Sequence, residues 1–104
     1  MTLKKVKNII YMDIFAQIAE KIIKEQEDTL GPVALEQARK VSGLKVDWSK
    51  HEVMLEGNRK EILEHLVEQY QGLFGQASVE VCREAIRGII SQVPKDQLPS
   101  LLQQ

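Results

Sequence analysis

Two single glycines, Gly31 and Gly75, each separate two stretches of helix-spaced apolar residues, and they lie 44 positions apart. A glycine ends a helix and reverses the chain at little conformational cost, so each stretch pair reads as a helical hairpin. Sliding the chain by 44 places residues 18–39 on residues 62–83. Ile18 meets Ile62, Glu20 meets Glu64, Gly31 meets Gly75, Glu36 meets Glu80 and Arg39 meets Arg83. Five identities in 22 positions exceed the roughly one or two that ordinary composition gives. The glycines align without a gap, and the flanking pairs Ile22/Leu66, Leu30/Phe74 and Ala38/Cys82 keep their character. The expectation is a duplicated helix–glycine–helix unit.

Within the first unit Ile14, Ile18, Ala19, Ile22 and Ile23 recur at three- and four-residue spacing, which is one helical face. Asp13 precedes them and suits the cap. After Gly31, Pro32 suits the first helical position, and Ala34, Leu35, Ala38 and Val41 turn inward until the helix stops near Ser42-Gly43. In the second unit Asn58 and Glu61 have capping-box spacing ahead of Ile62, Leu63, Leu66, Val67, Tyr70, Leu73 and Phe74. The last stripe runs through Val79, Cys82, Ala85, Ile86, Ile89, Ile90 and Val93, with Pro94 ending it.

Residues 44–57 join the units and carry two readings. Leu44, Val46 and Trp48 alternate, as do Val53 and Leu55, which suggests a small β-hairpin turning at Ser49-Lys50. Ser49 and Glu52 could instead open a short helix ending at Gly57. The alternation favours the hairpin. Past Pro94, Leu98, Leu101 and Leu102 predict a short helical turn or a packed arm. The fold class is therefore mainly α, a four-helix arrangement of two repeated hairpins with a small β-hairpin in the linker. One domain covers 1–104: an arm at 1–12, units at 13–43 and 58–93, the linker at 44–57 and a tail at 94–104.

A chain of 104 residues has room for one core. Its apolar fraction of 43% against 28% charged places it with globular rather than disordered chains. A net charge of −1 creates no general field toward nucleic acid or an anionic membrane. Asp13, Gln17 and Glu20 interrupt the apolar stretch after the basic start, so neither a signal sequence nor a membrane span is expected. A single cysteine, Cys82, cannot form an internal disulfide and fits a cytoplasmic location.

Few residues are arranged for chemistry. The four repeat-matched glutamates suggest a carboxylate cage with one ligand per helix. Yet at about 100° per residue Glu20 and Glu64 lie roughly 130° from their stripe centres, and Glu36 lies about 150° from its own. These are solvent positions. Neither His51 nor His65 follows a glutamate by three residues, as a di-iron bundle requires, so no metal and no cofactor are expected. Asp47, Trp48 and His51 form the one local group of histidine, carboxylate and aromatic ring, although a turn with Trp48 anchored in the core is the preferred account of it. Cys82 falls on the last stripe and reads as an inert small core residue. Residues 38–44 followed by a recognition helix over 46–55 would make a helix-turn-helix, but Asp47 and Glu52 spoil its basic face.

The expected function is a non-enzymatic protein-interaction or regulatory module working through helical surfaces. A small-ligand or cofactor-binding bundle is the alternative, and helix-turn-helix DNA binding comes third. Leu3, Val6, Ile9, Ile10, Tyr11 and Met12 exceed what one small core needs. They either fold back or cover a neighbour, and a symmetric homodimer is the expected use of them. An unidentified protein partner fits the same reading.

Overall fold

A computed structural model describes residues 13–103. The interface candidates Leu3, Val6, Ile9, Ile10, Tyr11 and Met12 lie outside the described residues. The first hairpin is α1 (Ile14–Leu30) and α2 (Val33–Ala38), and the second is α3 (Arg59–Phe74) and α4 (Gln76–Ile86). Between them stand β1 (Leu44–Asp47) and β2 (Glu52–Leu55), antiparallel, with a turn of 3-10 helix over Trp48–Lys50. Three further 3-10 turns make the tail, at Ile90–Gln92, Lys95–Gln97 and Ser100–Leu102. The chain is mainly α with a two-stranded sheet in the linker, as the periodicities predict. No helix among the described residues is long and apolar enough to cross a membrane.

The caps form as their residue types dictate. Asp13 accepts the Ala16 N–H at 2.9 Å, and Asn58 accepts the Glu61 N–H at 3.0 Å. The Asp13 carboxylate also accepts from Arg59 Nε at 3.0 Å, so the starts of α1 and α3 are tied together. Gly31 and Gly75 have φ of 77° and 78°, a left-handed region that glycine enters freely. Their N–H groups bond the Glu27 and Gln71 carbonyls at 2.8 Å, and their carbonyls accept from Ala34 and Ser78 at 3.1 Å. The two turns are alike, whereas the arms after them differ, with six residues in α2 and eleven in α4.

Three boundaries differ from the sequence reading. Pro32 is the cap of α2 rather than its first residue. α2 leaves α-helical geometry after Ala38, yet tighter bonds (Lys40 N–H to Gln37, Val41 N–H to Ala38) still bring Val41 into the core. α4 ends at Ile86, not at Val93. Gly88 is a poor helix former, and i-to-i+3 bonds such as Ile89 N–H to Ile86 at 2.9 Å take over. The tighter winding re-aims the remaining side chains, so that Val93, Leu98 and Leu102 are buried. The tail is thus packed, and Arg83 Nε holds the Leu101 carbonyl at 2.9 Å.

The core lies between the two helical hairpins and beneath one face of the sheet. Ile18, Ile22 and Ile23 of α1 meet Leu63, Leu66, Val67 and Tyr70 of α3 and Val79, Cys82 and Ile86 of α4, all without solvent exposure. Leu44, Val53 and Leu55 close it from the hairpin side.

Candidate functional site

Of Asp47, Trp48 and His51, the structure brings two together. The Trp48 and His51 rings have centroids 4.4 Å apart and are tilted by 36°. The turn itself causes this, because His51 adopts a left-handed φ of 52° and its N–H returns to the Trp48 carbonyl at 3.1 Å. Asp47 stands apart from the pair, accepting the Ser49 hydroxyl at 2.6 Å. That hydroxyl is the main reason its carboxyl lies below the ordinary carboxylate range, with Lys50 adding to it.

The partners of this pair come from α1. The Trp48 indole N–H donates to both carboxylate oxygens of Glu27 at 3.1 Å, and His51 Nδ1 lies 3.6 Å from Glu20 Oε2. Glu20 and Glu27 are seven residues apart and so share one face of the helix. Here the solvent position expected for Glu20 needs correcting. Its side chain retains 18% exposure because the hairpin tip covers that flank of α1. Glu64 is likewise half-buried, whereas Glu36, Glu80 and His65 are exposed. Glu27 carried no signal in the sequence, since its role depends on a residue 21 positions away. With Trp48 half-buried and both rings occupied by α1 carboxylates, the arrangement clamps the hairpin to the helix. The segment required as a recognition helix, 46–55, is this hairpin, which removes the helix-turn-helix reading.

A second polar cluster lies inside the core. Gln26 has no exposure; its Nε2 donates to the Ser78 carbonyl at 2.8 Å and approaches Cys82 Sγ at 3.3 Å. Tyr70 is equally buried and donates its hydroxyl to the Ala34 carbonyl at 2.7 Å. Gln26 and Tyr70 are 44 residues apart, and so are the acceptors Ala34 and Ser78. Each unit thus reaches into the other at the same relative place. Burial pushes the Cys82 thiol up to about 11, against the opposing pull of the Gln26 amide, and burial also raises the Tyr70 phenol. Gln26 Oε1 is buried without a partner.

Beside Gln26 opens an apolar groove of about 260 Å³, bounded by Leu30, Phe74, Ala77 and Val81. Leu73, next to it in sequence, is 55% exposed. Among the described residues no group of three or more histidine, cysteine or acidic side chains is placed to hold a metal. No family model, no curated protein and no solved structure matches this chain.

Proposed function

We propose that the chain is a non-enzymatic protein-interaction module that self-associates, acts in the cytoplasm and presents helical surfaces to a partner. The observation that carries this reading is the apolar surface at the glycine-turn end of the hairpins. There a groove is bounded by Leu30, Phe74, Ala77 and Val81, and Leu73, the residue before Phe74 in sequence, is more than half exposed. Exposed apolar surface of this kind gains free energy when a partner covers it. The reciprocal bonds Gln26–Ser78 and Tyr70–Ala34 support descent of the two units from one duplicated hairpin, a symmetry suited to association between like units.

A small-ligand carrier is the second reading, supported by Gln26 Oε1, a buried acceptor without a partner on a residue that lines the groove. Native mass spectrometry of the purified full chain separates the two. An interaction module gives multiples of the chain mass with nothing else bound, while a stoichiometric small molecule replaces it with the carrier. A monomer at every concentration, with no bound molecule, would falsify self-association.

A further inference from the structure

Among the described residues β1 has one neighbour in its sheet, β2, and none of them pairs with its other edge. Its inner face packs on the core through Leu44 and Val46, so what it leaves unpaired is the backbone edge away from β2. The ladder tells which backbone groups lie on that edge. The Gly43 carbonyl accepts the Glu56 N–H at 2.8 Å, so Gly43 directs its polar groups toward β2. Direction alternates along a strand; Lys45 and Asp47 therefore also face β2, and Leu44 and Val46 face outward. Leu44 spends its N–H on the Val41 carbonyl at 3.2 Å. Val46, at the middle, presents both its N–H and its C=O to the open side.

The charges on the exposed face are unevenly matched within the hairpin, where Asp47 has the Ser49 hydroxyl but no cation directly across the ladder. Lys45 stands opposite Met54, and Asp47 stands opposite Glu52, a like-charged pair that disfavours the sheet. We infer that β1 pairs antiparallel with β1 of a second copy of this chain, about a twofold axis at Val46. In that register the two Val46 residues exchange both backbone bonds, and Lys45 of each copy lies opposite Asp47 of the other. Centring the axis on Lys45 or on Asp47 would instead set like charges directly opposite one another. The charge order of β1 selects one register and one occupant. The result is a four-stranded sheet, β2-β1-β1-β2, whose two Lys45–Asp47 contacts bring a cation to each crowded Asp47–Glu52 pair.

This inference rests on the self-association proposed above and assigns it to the β1 edge, leaving the glycine-turn groove for another partner. Four residues per strand make a short contact, so the mass should depend on concentration. Light scattering over a dilution series of the full chain, at low salt, tests it. Wild type should approach twice the chain mass. Lys45→Asp sets aspartate against aspartate twice, and Asp47→Lys sets lysine against lysine twice. Each should raise the dissociation constant on the order of tenfold. An equimolar mixture of the two variants has opposite charges at both contacts and should recover the dimer. Mixing cannot restore the Ser49–Asp47 bond lost in Asp47→Lys, so recovery reports the interface rather than the turn. A wild-type monomer overturns self-association itself. A dimer indifferent to Lys45→Asp overturns the β1 edge and moves the contact elsewhere.

Discussion

Cys82 shows how much of a side chain's chemistry is set by its surroundings. It sits in α4 with no exposure, facing Gln26 of α1. Only the thiolate is nucleophilic, and burial raises the thiol to about 11, so the group stays protonated and covered near neutral pH. A thiol reagent should therefore label it far more slowly in native buffer than in denaturant. The linkage to stability follows from the direction of the shift. The unfolded thiol loses its proton near pH 8.5 and the folded one near 11. The thiol's contribution to stability is thus constant below the first value and falls as pH rises between the two. Denaturant titrations at pH 7.5, 9 and 10.5 should show that decline, and Cys82→Ala should lessen it. The raised Tyr70 phenol acts in the same direction at higher pH and limits the measurement there. Cys82 was legible in the sequence as a stripe residue. Gln26 was equally so by spacing, four residues after Ile22 and three after Ile23, but a polar residue on an apolar face is read through its chemistry and missed.

At the scale of elements, the hairpin depends on the one residue that lets it start. Gly43 has φ of 85°, and a Cβ there would lie 2.7 Å from the Glu56 carbonyl oxygen and 2.9 Å from Ile62 Cδ1. The first is backbone within the ladder and cannot move without opening it. At Gly31, with φ of 77°, a Cβ would meet nothing within 4 Å, so only the conformational penalty applies. Gly31→Ala should cost about 1–2 kcal/mol. Gly43→Ala should cost more, roughly 2–4 kcal/mol, because steric displacement adds to that penalty. Urea unfolding of the two variants checks this, and equal losses would mean the hairpin base relaxes freely. Alternation in residues 44–55 carried enough information to favour strands, and the caps at Asp13 and Asn58 were readable because each spans three residues. The end of α4 was not. Its stripe continues through Ile89, Ile90 and Val93, and the core accepts those side chains from 3-10 turns instead.

In the molecule as a whole, the two helical hairpins are joined by a pair of bonds at equivalent places whose environments differ. Tyr70 makes one hydrogen bond with its only polar atom, whereas Gln26 satisfies its nitrogen and leaves its oxygen alone. Tyr70→Phe removes the bond and keeps the ring, so it should cost about 1 kcal/mol. Gln26→Leu also removes a buried unpaired oxygen, and its net cost should be smaller or of opposite sign. Chemical denaturation of both variants gives the comparison. A larger loss for Gln26→Leu would mean that Oε1 has a partner, such as an ordered water.

What the sequence determined by itself has its cause within a few residues. Helix faces follow from three- and four-residue spacing, turns from glycines and caps, and strands from alternation. It also supplied the members of the hairpin-tip group, Asp47, Trp48 and His51, without their arrangement. Tertiary structure alone decided that Trp48 and His51 meet Glu27 and Glu20, that Gln26 faces Ser78 and Cys82, and that no described residue pairs with one edge of β1. Each of these depends on how one element lies across another. Such crossings are set by the fit of whole apolar surfaces distant in sequence, and no local pattern of residues encodes them.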